Sequence, residues 1–254
     1  MESIDIRAGA LVRGLLVLEC FSPQEDSFTL SELAKRLDIP KSSLYRVVKT
    51  LSHMNYLRYE GRSKRYYLGM RVLSLGFSML QSMELREIAR PYMERLSREC
   101  NRTVNLAVFD KDEMVYVERI RVPGIRAFNI GVGNRIPVWN TAVGRAVLAH
   151  FDPEQVKEML QRARRSPDFQ LDEERMAKIL FDVRKEGFAV SNQEFQRWVL
   201  AIAVPIFTAS GVAGAINLVG EPEDVTVETL RNEYAPKLIQ VGKELSESLG
   251  FREA

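Results

Sequence analysis

The sequence predicts an α+β chain built in two parts joined by a helical connector, and three observations predict it. Short amphipathic helices and an aromatic hairpin fill the first 70 residues. A long apolar helical stretch follows. Beyond residue 101, strand patterns, then helices, then strands again suit a mostly antiparallel sheet with helices packed around it. The 254 residues fit two domains, divided as residues 1–70, a helical linker or dimerisation segment over 71–100, and 101–254. Hydrophobic residues at 46% and charged residues at 28% are globular proportions. No run approaches the roughly 18 consecutive apolar residues of a membrane span. The N-terminal stretch carries acids and lacks the apolar core of a secretory leader. A cytoplasmic protein with no membrane partner is expected. Cys20 and Cys100 have no metal-ligand spacing and fall on apolar helix faces, so they read as buried free thiols in a reducing compartment. No metal and no cofactor is expected.

The first element is a helix over residues 10–20, with Leu11, Leu15, Leu16 and Leu18 at helical spacing and Ser22-Pro23 ending it. Thr29 then stands three residues before Glu32, the spacing of a capping box. Leu30, Leu33, Ala34 and Leu37 form one apolar stripe behind it, broken at Asp38-Ile39-Pro40. The chain restarts at Lys41. Leu44, Val47, Val48 and Leu51 face inward, leaving Ser42, Ser43, Tyr45, Arg46 and Lys49 outside. Two short helices joined by a tight turn make a helix-turn-helix. Residues 56–60 and 65–69 alternate around a glycine-containing turn, which is a hairpin pattern. It places Arg62, Lys64 and Arg65 at the tip of a wing.

The formal net charge of +2 is unevenly spread: residues 35–71 hold ten basic side chains against Asp38 and Glu60. That points to a polyanionic partner, with a solvated basic face as the plain alternative. The exposed face of the second helix has hydroxyls, an aromatic ring and two long cations but no acid, which suits a DNA groove. The candidate DNA-binding residues are Lys41, Ser42, Ser43, Tyr45, Arg46, Lys49, Arg62, Lys64 and Arg65. Ser42, Ser43 and Arg46 would reach bases, because the start of a recognition helix enters the groove first. A winged-helix protein-interaction module is the competing reading, and the concentrated positive charge counts against it.

Residues 70–99 read as helix almost throughout, with Val72, Leu73, Leu75, Met79, Leu80 and Met83 in a broad apolar stripe. That stripe packs either on a twin in a dimer or on the C-terminal domain. In the C-terminal part, strands are predicted at 104–109, 114–119 and 126–130, with a loop over 131–137. Helices follow at about 141–150, 153–163 and 172–186, strands at 187–190, 199–206 and 212–219, and a closing helix at 226–249. The chain has two histidines, His53 and His150, and no nucleophile elbow, P-loop or dinucleotide fingerprint. An enzyme is not expected. Asn217 inside an apolar strand needs a hydrogen-bonding partner, which a ligand or a backbone carbonyl supplies.

Several stretches together give a resemblance. They are Leu30-Ser31-Glu32-Leu33-Ala34, Pro40-Lys41-Ser42-Ser43-Leu44-Tyr45-Arg46, Tyr67-Leu68-Gly69, Thr141-Ala142-Val143-Gly144-Arg145-Ala146, Glu186-Gly187-Phe188-Ala189-Val190 leading to Glu194, and Ile202-Ala203-Val204-Pro205-Ile206-Phe207. Over nearly its whole length the chain resembles the IclR family of bacterial transcription regulators. The resemblance implies a GAF-like effector-binding domain for a small organic molecule, often aromatic or a carboxylate. It also implies a homodimer or dimer of dimers on a double-stranded DNA operator. By analogy the effector pocket is lined by Trp139, Thr141, Ala142, Val143, Ser191, Val199, Ala201, Asn217 and Val219. Ser191 and Ala201 stand where the family often has Asp and Cys, so the pocket loses a carboxylate and a thiol. Arg121, Arg126 and Arg135 are assigned to the surface rather than to a ligand carboxylate. The expected function is a ligand-responsive DNA-binding regulator of a catabolic pathway. The alternative is an effector-independent DNA-binding protein whose C-terminal domain only oligomerises.

Overall fold

The structure, a computed structural model, describes residues 9–122, 130–164, 169 and 173–252. The chain divides into two compact units, Met1–Ser82 and Met83–Ala254. The segment 71–100 is therefore shared between them.

The first unit runs α1 (Ala10–Glu19), β1 (Ser27–Thr29), α2 (Leu30–Leu37), α3 (Lys41–His53), β2 (Leu57–Glu60), β3 (Arg65–Leu68) and α4 (Met70–Gln81). Its core gathers Val17 of α1, Leu33 of α2, Leu44 and Val48 of α3 and Leu57 of β2, all of them buried. The capping box at α2 forms as the spacing predicts. Thr29 Oγ1 accepts from the Glu32 amide at 3.3 Å, and Glu32 Oε2 accepts from the Thr29 amide at 2.7 Å. Asp38 ends the helix at φ 52°, and the Ile39 amide returns to the Ala34 carbonyl at 3.1 Å. That turn drops Ile39 into the core and lets Pro40 open α3. The hairpin gains an unpredicted strand, β1, because Phe28 pairs with Tyr66 and completes a three-stranded sheet in the order β1-β3-β2. Gly69 closes the hairpin onto the end of α3. A Cβ there would stand 2.1 Å from the Asn55 carbonyl oxygen, so only glycine fits. No residue of α4 is buried.

The second unit begins with α5 (Glu84–Cys100), which runs through Pro91. Then come β4 (Thr103–Asp110), β5 (Glu113–Ile120), β6 (Arg135–Pro137), α6 (Ala142–Leu148), α7 (Pro153–Ala163), α8 (Glu173–Glu186), β7 (Ala189–Asn192), β8 (Leu200–Thr208) and β9 (Gly211–Gly220). The closing helix is interrupted: α9 (Val227–Thr229), a π-helical turn Leu230–Tyr234 and α10 (Ala235–Ser248). The shift in register meets Pro236, which has no N–H to give the α-helical ladder. The six strands form an antiparallel sheet in the order β6-β5-β4-β9-β8-β7. α5 and α10 pack on one another and on strands β4 and β8, and α6 packs on β8 and β9 and in turn against α8.

One expectation needs correction. The stretch 131–137 is not all loop, because residues 135–137 pair with β5 as an edge strand. The predicted strand 126–130, and Arg126 with it, lies outside the described residues except for Ile130. Cys20 and Cys100 are buried free thiols, and burial pushes both pKa values up. Among the described residues no helix is long and apolar enough to cross a membrane, and no cluster of potential metal ligands occurs.

Candidate functional site

In the first unit, α3 presents Ser42, Arg46, Lys49 and His53 along one exposed line, at the i, i+4, i+7 and i+11 spacing of a single helix face. Lys41 and Tyr45 flank that line, with the Lys49 ammonium 5.8 Å from the Tyr45 ring centroid. Ser43 is half-buried beside it. Pro40 offers no side-chain cap, so the amides of the first turn face outward with Lys41 next to them. Arg62 and Lys64 are exposed on the hairpin turn, and Lys64 adopts φ 55° to make it. Arg65 is different. It sits within β3, donating to the Ser27 carbonyl at 2.8 Å and to Ser27 Oγ at 3.0 Å, with Glu32 at 3.2 Å. Its guanidinium ties β1 and α2 to the hairpin rather than standing at the wing tip.

In the second unit, a small cavity lies on the sheet face that α6 covers. Members of three cross-strand rows line it. Ser191, Ala201 and Val219 are paired neighbours across β7, β8 and β9. Ala203, Asn217, Asn105 and Arg119 are neighbours across β8, β9, β4 and β5. Ala215, Ala107 and Tyr116 form the third row. Alanines at 201, 203, 215 and 107 share a buried core cluster with α6, and of these Ala201 lines the cavity. The β-bulge opposite Leu106 and Ala107 inserts Val117, and both Tyr116 and Arg119, three residues apart, then reach the same side. The free space is only about 40 Å³, room for a few waters and less than an organic ring needs.

The polar groups converge. Asn105 Nδ2 donates to Asn217 Oδ1 at 2.9 Å, and the Asn217 side chain is also the hydrogen-bonding neighbour of the Tyr116 hydroxyl. Burial pushes the Tyr116 phenol up to about 12 despite that bond, so it stays protonated and can donate. Arg119 is pushed down from the ordinary guanidinium value by burial first and then by the charge of Arg121. Thr141 caps α6, accepting from the Gly144 amide at 3.2 Å, and its Oγ1 donates to the Pro137 carbonyl at 2.6 Å. Gly144 is required here: a Cβ would stand 2.2 Å from the Val138 carbonyl oxygen.

The walls are held by Arg145, 2% exposed. Its Nε donates to the Trp139 carbonyl at 2.9 Å and its Nη1 to the Val190 carbonyl at 3.3 Å. Nη1 also reaches Glu194 Oε1 at 2.7 Å, and Nη2 meets the other carboxylate oxygen in a fork. Ser191 Oγ donates to the Asn140 carbonyl at 2.9 Å. One buried cation thus joins the loop before α6, the end of β7, and the segment after β7 that carries Phe195 and Val199 into the cavity.

Residues 10–61 match the family described as IclR helix-turn-helix domain, and residues 77–247 match the family described as Bacterial transcriptional regulator IclR C-terminal. The chain belongs to the IclR family. It is 31% identical over 245 residues to the Pca regulon regulatory protein of Pseudomonas putida, spanning 94% of this chain and 84% of that one. An IclR family transcriptional regulator from Brucella abortus superposes with a TM-score of 0.81 at 29% identity, covering 96% of this chain and 94% of the other. An IclR homologue from Microbacterium hydrocarbonoxydans, complexed with 4-hydroxybenzoate, superposes with a TM-score of 0.78 at 26% identity, over 95% and 99% of the two chains.

Within this IclR-family chain, the residues assigned by resemblance do not all meet. Thr141, Ala142, Ser191, Val199, Ala201, Asn217 and Val219 line the cavity together. Val143 and Trp139 do not. Val143 points into the core of the unit with no exposure. Trp139 packs edge-on against Phe169, at 5.6 Å between ring centroids, with its indole N–H buried and unpartnered. Asn217 finds its partner in another side chain, Asn105, rather than in a backbone carbonyl. Arg135 is exposed and paired with Asp110 and Glu113, and Arg121 is exposed. Sequence reasoning missed Asn105, Tyr116, Arg119, Ile130, Ile136 and Phe195. Asn105 carries the signal that singled out Asn217, an amide inside an apolar strand. The bulge hides Tyr116 and Arg119, since strict alternation places them on opposite faces.

Proposed function

We propose that this IclR-family chain is a ligand-responsive regulator of a catabolic pathway. A small organic metabolite enters the C-terminal cavity, and the N-terminal winged helix-turn-helix holds operator DNA. The cavity carries the reading. A lining that combines two amides, a phenol and a guanidinium with the small side chains Ala142, Ser191 and Ala201 suits a small organic ligand more than a surface that only oligomerises. The 4-hydroxybenzoate bound by the Microbacterium relative supports an aromatic or carboxylate effector. Its size against about 40 Å³ of free space means that the cavity lining rearranges on binding.

On the DNA side, Ser42, Ser43 and Arg46 read base edges, while Lys41, Tyr45, Lys49, Arg62 and Lys64 hold phosphates. The protein works as a dimer or dimer of dimers. Met70, Leu73, Phe77 and Met79 leave α4 more than half exposed at each of these positions, and a second copy of the chain covers them. The test is selection of duplexes from fragmented genomic DNA by the full chain, followed by titration of the enriched sequence with and without a library of small organic acids. Enrichment of one sequence, with affinity altered by a library member, supports the proposal. Specific DNA binding that no cavity ligand alters supports the oligomerisation-only reading.

A further inference from the structure

The C-terminal unit has a second open space, a cleft where the turn after α6, the far half of β8 and α10 meet. Its free volume is about 190 Å³, and His150, Val204, Pro205, Phe207, Ile239 and Phe251 are among its walls. It shares no residue with the cavity that Thr141 and Ala142 line at the start of α6. The two spaces stand at opposite ends of that helix, whose seven residues are all buried. An apolar space of roughly 150 Å³ holds one benzene molecule, so the cleft has room for a single ring. An extended peptide is a poor occupant. β7 pairs with β8 only from Leu200 to Ala203. Beyond that, Pro205 has no N–H, and the Phe207 amide already donates to Ser246 Oγ at 3.0 Å.

Three rings shape the walls. His150 stands edge-on to Phe207, with centroids 4.8 Å apart and planes at 87°, and Phe207 stacks on Phe251 at 4.9 Å and 26°. Rings set this way offer both a face and an edge to an incoming ring. The exposed Lys243 and Glu247 bring opposite charges to the lining, so it selects neither an anion nor a cation. Ser246 is committed, since its hydroxyl accepts from Phe207 and donates to the Gly242 carbonyl at 2.7 Å. His150 is not. Burial, and then Arg184, hold its pKa below the ordinary value, so the imidazole is neutral near pH 7, and its Nε2 is buried with no hydrogen-bond partner. A neutral imidazole has one donor and one acceptor nitrogen, and can meet a hydroxyl with either.

We propose that this cleft is a second small-molecule site, separate from the effector cavity, and that it takes an uncharged aromatic ring carrying one hydroxyl or N–H group. The ring lies against Phe207 and Phe251. Its polar group pairs with His150 once the imidazole turns about χ2, and so supplies the partner that the chain does not. A saturated ring of the same size fits the volume but forfeits the contacts between rings.

Fluorine NMR of 4-fluorophenol titrated with the full chain tests this, beside calorimetric titrations of phenol, toluene and cyclohexanol. The proposal expects 4-fluorophenol to shift and broaden on binding, and toluene to bind on the order of 10-fold more weakly than phenol through loss of one hydrogen bond. Cyclohexanol should bind severalfold more weakly than phenol. I239W fills the cleft from an exposed helix position and F251A removes a wall, so each should weaken phenol on the order of 10-fold or more. H150F keeps a ring and removes the nitrogen, so phenol falls to the level of toluene. Melting temperatures near wild type for I239W and H150F keep the comparison valid if F251A disturbs the end of α10. Toluene or cyclohexanol binding as tightly as phenol overturns the proposal, as does failure of every probe. Phenol binding that I239W and H150F leave intact also overturns it, since the ring then sits elsewhere.

Discussion

Arg62 and Arg65 stand three residues apart on one hairpin, yet their surroundings give them different work. Arg62 projects into solvent, while Arg65 spends its donors on Ser27 and Glu32. R62A is expected to weaken DNA binding across all sequences and reduce the salt slope by about one, as loss of one phosphate contact does. R65A is expected to lower stability by about 1–2 kcal/mol through lost charge-assisted bonds, with the salt slope retained. Anisotropy titrations at several salt concentrations, beside denaturant melts, separate the two. R46A should cost on the order of 1–3 kcal/mol with relaxed base preference if Arg46 reads a base edge. Unchanged selectivity in the same titration would remove it from that role. His150 carries a pH prediction. Burial first, then Arg184, lowers its pKa, and its Nε2 is buried without a partner. The unfolded chain takes up that proton near the ordinary value of about 6.5 and the folded chain only at lower pH. Stability is therefore complete above about pH 7 and falls as the pH drops through 6.5. His150→Phe should flatten the melting temperature between pH 7 and 5.5, where wild type declines. Sequence placed both types of arginine on one list because exposure of a strand residue depends on what pairs with its strand, and β1 was not legible.

At the scale of elements, legibility followed local chemistry. α2 was readable because Thr29 and Glu32 cap it and its stripe is short-range, and α3 because Leu44, Val47, Val48 and Leu51 keep one period. The short strands β1 and β6 were not, since three residues acquire strand character only from the partner that pairs with them. The bulge in β5 is likewise a tertiary feature, and with it went the two cavity residues the sequence hid. α4 was correctly read as helix, and none of its residues is buried. An acid placed at its apolar stripe tests what covers it. Leu73→Asp with Phe77→Asp should shift sedimentation toward the monomer and weaken DNA binding through lost avidity, with each unit still folded by circular dichroism. Unaltered oligomeric state would show that the apolar face of α4 is not the contact between copies.

The whole molecule joins a DNA-binding unit and a cavity-bearing unit in one chain, and its regulation requires a free-energy coupling between them. An effector changes DNA affinity only by binding the two forms of the protein unequally, and couplings of about 1–3 kcal/mol, or roughly 5- to 150-fold, are usual. The most direct measurement is the anisotropy of a selected operator duplex titrated with the full chain at fixed salt, with the cavity empty and then saturated by a small organic ligand that binds it. The account predicts a change in DNA affinity of at least about fivefold, in either direction. Equal DNA affinity at both ends of the ligand titration, with the cavity demonstrably filled, would contradict it.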